Sequence, residues 1–289
     1  MTNAILTGLM LGGMYALIAM GLTLQYGVAR IMNLSYGEFL IAAAFASHWL
    51  FTGWAISPFV GLALVVPLAF VLNFAIYKLL LTPLVRRAPN RDALEVDSIL
   101  ATFGLTFVIQ GLMLALFGGA YYSYSFLAFP VQFLGETVAA NRLAALGITI
   151  LLGLALYAAL TRTRAGTAVR AVAVDPFAAQ LVAINVPQAS ALTFALGGAL
   201  VAAAGVLVST FLTFSASSGV VFTMKALIVV VMGGVGNMLG CLVAGLALGL
   251  SEALVASYID PGLTLAVNFA LFLAVLLVKP AGLFGRATR

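Results

Sequence analysis

The chain has 289 residues, 64% of them hydrophobic and 7% charged, with a formal net charge of +5. A soluble domain carries roughly a quarter charged residues, so this composition excludes a water-soluble globular protein and requires a bilayer. The apolar runs are continuous and lack the alternation of outer-membrane barrel strands. The expected fold class is therefore all-α, a polytopic transmembrane helical bundle.

The basic residues are spread through short loops without interleaved aromatics, so no nucleic acid is expected as a partner; membrane lipid is. Cys241 is the one cysteine, which leaves no internal disulfide and suggests no metal site. The opening "MTNAILTGLM" lacks the basic region of a secretory signal and reads as the start of a retained first span.

Eight membrane segments are expected, at about 4–28, 36–52, 59–81, 98–117, 143–160, 188–212, 222–257 and 263–279. Between the first two lies "NLSYGE", Asn33 to Glu38. Ser35 and Glu38 fit the S-x-x-E capping box, in which Ser35 accepts from the Glu38 amide and Glu38 reaches back to Ser35. A second reading is compatible: a helix N-terminus inside the membrane aims N–H groups and partial positive charge at a cavity. Asn33, Ser35, Tyr36 and Glu38 are the candidate pathway residues of this break. Farther on, His48, Trp49 and Trp54 cluster near one loop, with His48 read as an interface residue.

Gly118 to Asn141 is rich in Tyr and Phe, which reads as an interfacial aromatic belt or as a docking surface. The basic loop 161–186 carries Arg162, Arg164 and Arg170 and exceeds what anchoring needs. Asp175 and Pro176 form a helix start, and Pro187 is read as its stop, giving a helix of about ten residues. Phe177, Leu181 and Ile184 then form one apolar stripe, fit for headgroups or for a groove on a soluble protein.

The seventh segment is too long for one span. It breaks at "MGGVGNMLG", Met232 to Gly240, where four glycines fall within nine residues, giving a short entering helix, a turn and a returning helix. Before it lies "FSASSG", whose Ser217 and Ser218, with Thr223 just beyond, are the expected counterparts of the first break. Helix, break, helix recurs over Gly12–Phe45 and Gly197–Val231, an inverted repeat of the kind found in transporters. Among polar residues in spans, including Gln25, Asn73, Thr102, Asn237 and Asn268, Glu252 stands out because an acid there is costly. It is expected near the outer interface.

Orientation follows from Lys and Arg. Lys78, Arg86, Arg87, Arg91, Arg162, Arg164, Arg170, Lys279, Arg286, Arg289 and Arg30 fall on one side, leaving Arg142 and Lys225 outside or within the membrane. The positive-inside bias puts the N-terminus outside and the C-terminus in the cytoplasm. Catalytic signatures are missing: the sequence has no G-x-x-x-x-G-K-[ST], no H-E-x-x-H and no G-x-S-x-G. No enzyme activity, cofactor or metal is expected.

The chain resembles the permease subunits of branched-chain amino acid ABC importers, essentially end to end. The resemblance rests on "GLMLGGMYALIAMGLTLQYGVARIMNLSYGEF", "TRTRAGTAVRAVAVDPFAAQLVAINV" and "GGVGNMLGCLVAGLALG". It departs at Tyr36, where the family often has His. The resemblance implies a single permease domain over residues 1–289, similar to the smaller of two permeases in a bacterial inner membrane. It implies a second permease subunit, two ATPase subunits that hydrolyse ATP, and a periplasmic substrate-binding protein. It also makes loop 161–186 the coupling segment, with Arg164, Gly166, Arg170, Asp175, Phe177, Leu181 and Ile184 facing the ATPase. Members of the family carry aliphatic and other neutral amino acids, urea, short amides and aromatic acids. An ion-coupled secondary transporter and a passive channel for a small neutral solute are the alternatives.

Overall fold

The computed structural model describes residues 2–133 and 135–285. Arg286 and Arg289, counted above for orientation, lie outside the described residues.

Twelve α-helices occur among the described residues, with one short hairpin. The first, α1 (Thr2–Ala29), has 28 residues, about 42 Å at 1.5 Å per residue and ample for a bilayer core of about 30 Å. It is followed by α2 (Tyr36–Trp54) and α3 (Pro58–Ile76). A π-helical turn, Tyr77–Leu81, joins α3 to α4 (Thr82–Arg87), so the third segment continues past its expected end. Pro83 is the physical reason for the turn. It has no N–H for the Leu79 carbonyl four residues back, and in the turn before it the Thr82 N–H and Oγ1 both donate to Tyr77 O, the hydroxyl at 3.0 Å. The fourth segment also starts early: α5 (Arg91–Phe117) is capped by Asn90, whose Oδ1 accepts from Ala93 N at 2.8 Å.

The loop after α5 contains the hairpin β1 (Pro130–Phe133) and β2 (Glu136–Ala139), paired antiparallel. Then come α6 (Ala140–Arg162), α7 (Arg164–Val174), α8 (Pro176–Leu181) and α9 (Val186–Ser209). The expected break in the seventh segment is present, between α10 (Gly219–Gly233) and α11 (Met238–Tyr258), and α12 (Thr264–Val278) completes the bundle. Asn237, expected in mid-span, is instead the cap of α11, accepting from Gly240 N at 3.0 Å.

Two helices form the axis. Both α1 and α9 are buried over most of their length, whereas few positions of α3, α5, α6 and α12 are buried. Leu68, Leu100, Leu151 and Leu277 stand outward, as lipid-facing residues do where water is absent. Small residues bring α1 and α11 to backbone contact. A Cβ on Gly12 would lie 2.7 Å from Leu246 Cα, and one on Gly245 would lie 2.6 Å from Ala16 N. Glycines spaced by four on both helices permit this approach.

The contacts also give direction. Gly8 meets Leu250 and Gly27 meets Gly236, so α1 and α11 run antiparallel. Gly21 meets Gly197, and Gln25 Nε2 donates to Phe194 O at 2.8 Å, so α1 and α9 are antiparallel too. The units α1–break–α2 and α9–break–α10 therefore run in opposite senses, as the inverted repeat requires.

Candidate functional site

The first break begins where Arg30 takes a left-handed φ of 56° and ends α1. Residues 31–35 cross the interior without regular structure, so their backbone groups need partners there. Hydroxyls of α5 supply them: Leu34 N donates to Thr102 Oγ1 at 3.1 Å, and Thr102 Oγ1 donates to Met32 O at 3.0 Å. Asn33 is wholly buried, with Nδ2 donating to Gln25 Oε1 at 3.1 Å.

The expected capping box does not form. Ser35 makes no side-chain cap to α2. Its hydroxyl donates to Asn33 Oδ1 at 2.7 Å, and Asn33 Oδ1 also accepts from Ser35 N at 3.1 Å. The amide of Glu38 bonds the Ser35 carbonyl at 3.0 Å. Asn33, two residues before the serine, accepts the Ser35 N–H that Glu38 would take in a capping box, so Glu38 is released from the cap. Its carboxylate crosses to Gly219, the first residue of α10, where a Cβ would collide with it. Both oxygens are buried without a hydrogen-bond partner.

The second break meets the first at this point. Gly37 N donates to Thr223 Oγ1 at 2.8 Å, and that hydroxyl reaches Leu34 O at 3.3 Å. A side chain on Gly37 would strike Gly219 O, so only glycine lets the two helix starts approach. The N-terminal ends of α2 and α10 converge on Glu38, and their partial positive charge offsets part of the cost of a buried carboxylate. Ser217 and Ser218 stand just above, each close to Ser215 Oγ, at 3.2 and 3.0 Å. The junction is closed: Asn33, Ser35, Tyr36 and Glu38 have no exposed surface. Tyr36 serves packing here, its hydroxyl donating to Gly197 O at 2.9 Å.

A charged pair escaped the sequence reading. Lys225 of α10 binds Glu252 of α11 at 2.7 Å, also donates to Tyr15 OH at 2.7 Å, and has Asn268 Nδ2 nearby on the same carboxylate. Glu252 is thus a paired residue and not a lone acid. The available signal was sign: Lys225 and Glu252 are opposite charges on adjacent pieces of one broken segment.

On one side of the junction the loop between α5 and α6 folds onto the bundle. Tyr122 pairs with Phe214 as an isolated bridge, and Phe45 stacks on Phe117 at 4.3 Å beside them. His48 lies 5.2 Å from the Tyr122 ring in an edge-to-face contact. Tyr124 OH joins Ser47 Oγ and Ser209 Oγ at 3.0 and 2.7 Å. Burial raises its phenol above the ordinary value although those hydroxyls oppose the shift, so it stays neutral.

At the opposite end, α7 folds back on α6 through Gly166, where a Cβ would lie 2.5 Å from Leu160 Cα. Arg170 lines a cavity of about 450 Å³ with Arg30, Gly236 and Asn237; Arg164 is exposed. Asp175 caps α8 as expected, accepting from Phe177 N at 2.9 Å and Ala178 N at 3.2 Å. The helix is shorter than expected, however, ending at Leu181, with Ala183 at a φ of 62°. Pro187 does not stop it. It lies in the first turn of α9, where a missing N–H is harmless, behind the Asn185 cap. Ile184 therefore leaves the stripe and packs toward the core. Phe177 and Leu181 remain 71% and 75% exposed, flanked by Val174 and Val182.

Residues 4–276 match the protein family described as branched-chain amino acid transport system / permease component. The chain belongs to this family. It is 33% identical to the high-affinity branched-chain amino acid transport system permease protein LivH of Escherichia coli K12, over 96% of this chain and 94% of that one. Identity is 27% to the permease protein BraD of Pseudomonas aeruginosa, over 98% and 95% of the two chains. It is 25% to a probable LivH of Methanocaldococcus jannaschii, over 93% and 88%. No solved structure matches. The permease is a multi-pass membrane protein of a transport system, and its broken helices are the part of the bundle built differently from a simple anchor.

Proposed function

We propose that this permease forms the translocation path of an ATP-driven importer for branched-chain or other small neutral amino acids, with urea and short amides as related solutes. The observation that carries the reading is the meeting of two broken helices at Gly37–Thr223 and Glu38–Gly219, deep in the bundle. Discontinuous helices with N-termini aimed at one spot are how transporters hold a solute at mid-depth. Separation of α2 from α10 opens the path past Asn33, Ser35, Glu38 and Thr223, with Ser217 and Ser218 on the outer side.

The permease is one domain in a bacterial inner membrane, its N-terminus outside and its C-terminus in the cytoplasm. Its partners are a second permease subunit, two ATPase subunits and a periplasmic substrate-binding protein. ATP is hydrolysed on the ATPases, since this sequence has no phosphate-cradling loop. The exposed apolar knob of Val174, Phe177 and Leu181, carried on α7 and α8, seats in an ATPase groove. Arg164, Gly166, Arg170 and Asp175 shape the coupling loop around it.

A second reading rests on Glu38 alone, because a buried acid without a partner is a residue type that carries coupling protons. Reconstitution separates the two. The complete complex in liposomes should take up leucine, isoleucine or valine only when ATP is on the ATPase side. Uptake driven by a proton gradient without ATP selects the second reading instead.

A further inference from the structure

A second polar feature lies at the outer end of the bundle, apart from the junction of the breaks. A cavity of about 240 Å³ opens there beneath the outer loop, lined by Ser123, Ser125, Asn141, Arg142 and Thr213 among others. This is smaller than the roughly 300–1,000 Å³ of drug-sized pockets, a size for a small solute. Its wall includes residues 210–213, which lead from α9 into the second break.

The charge of this cavity is one-sided. Arg142 sits in the first turn of α6, and that turn holds no acid and has no side-chain cap. A guanidinium and the positive end of a long helix therefore add at one place. No carboxylate lies within ion-pair distance of Arg142 among the described residues. The nearest acid in sequence, Glu136, receives the Thr2 hydroxyl.

Beside the cation is an acceptor with nothing to accept. Asn141 is 6% exposed, and its Nδ2 donates to Thr210 O at 2.8 Å. That bond fixes the amide's orientation, because turning it over would set Oδ1 against another oxygen. The Oδ1 atom remains buried without a donor, which costs free energy until a donor arrives. The site thus lacks an anion at Arg142 and an N–H donor at the adjoining Asn141.

We propose that this cavity receives the main-chain end of a free α-amino acid on the outer side, before it reaches the junction of the breaks. Arg142 takes the carboxylate, Asn141 Oδ1 takes the ammonium, and the hydroxyls of Ser123, Ser125 and Thr213 complete the polar wall. A zwitterion carries both charged groups on one carbon, so a single solute can meet Arg142 and Asn141 where both line the same cavity. The site reads the main-chain end and leaves the side chain unspecified. The inference rests on the amino acid transport reading above.

The test uses the complete importer in nanodiscs without its binding protein, with labelled leucine as the probe. Leucine should bind, and Arg142→Gln should weaken it about tenfold or more, as for loss of a charge-assisted hydrogen bond. Arg142→Lys should retain part of the affinity. Leucinamide, which lacks the carboxylate, should bind weakly and be indifferent to Arg142→Gln. Arg142 is partly exposed, so the variant should fold, and an unchanged thermal midpoint checks this. Equal leucine binding by wild type and Arg142→Gln overturns the proposal, as does absence of binding in an importer that transports leucine. If Arg142→Gln leaves leucine binding intact and weakens docking of the binding protein, the carboxylate belongs to an acidic side chain of that partner, and the solute site is overturned. A wild-type importer that transports no amino acid removes the transport reading itself, and the cavity proposal with it.

Discussion

The amide of Gly37 donates to the hydroxyl of Thr223 at 2.8 Å, across 186 positions of sequence. That bond joins two helices which both begin inside the bundle. Thr223→Val keeps the shape and leaves the Gly37 amide without its acceptor, which costs about 1–3 kcal/mol. The thermal midpoint of the purified permease should fall, and Thr223→Ser should restore most of it.

The contact between Glu38 and Gly219 makes a reciprocal prediction. Gly219→Ala places a methyl against the carboxylate, an overpacking that costs about 1–3 kcal/mol. Glu38→Ala removes the obstacle. The double variant should therefore be more stable than the sum of the single effects implies, and additive losses would show that the two side chains do not meet.

How far the sequence reveals this arrangement depends on the kind of interaction. Hydrophobic length identifies the spans, and the glycines at 233, 234, 236 and 240 identify the break before α11, because both depend on local composition. Helix ends were less legible. Asn90, Asn185 and Asn237 are caps that the apolar pattern does not mark, and Pro187 reads equally well as a stop or a start. The capping box failed for a local reason: Asn33 Oδ1 accepts the Ser35 N–H that the Glu38 carboxylate would otherwise take. The meeting of Glu38 with Gly219 depends on tertiary packing that no periodicity encodes.

The pair formed by Lys225 and Glu252 at 2.7 Å gives a further test. Lys225→Met or Glu252→Gln alone strands a mostly buried charge, at about 3–5 kcal/mol. The combined variant should recover much of that loss. Recovery of stability without recovery of uptake would assign the pair a part in moving α10; recovery of both would make it a fastening only.

At the other end of the permease, Phe177 and Leu181 are exposed, so Leu181→Asp should leave the thermal midpoint of the isolated permease unchanged. A charge in an apolar groove is unfavourable, so ATPase assembly and ATP-driven uptake should both drop steeply. Asp175→Ala should act more mildly, by loss of a cap worth about 0.5–2 kcal/mol.

The central claim is that α2 and α10 must part at Glu38 and Gly219 for a solute to pass. A disulfide between cysteines at these positions, in a Cys241→Ser background, tests it most directly. Oxidised Glu38→Cys/Gly219→Cys importer should lose ATP-driven amino acid uptake and regain the rate of its reduced form when the bond is cleaved. Uptake by the fully crosslinked complex at the reduced rate would contradict the claim and move the path elsewhere in the bundle.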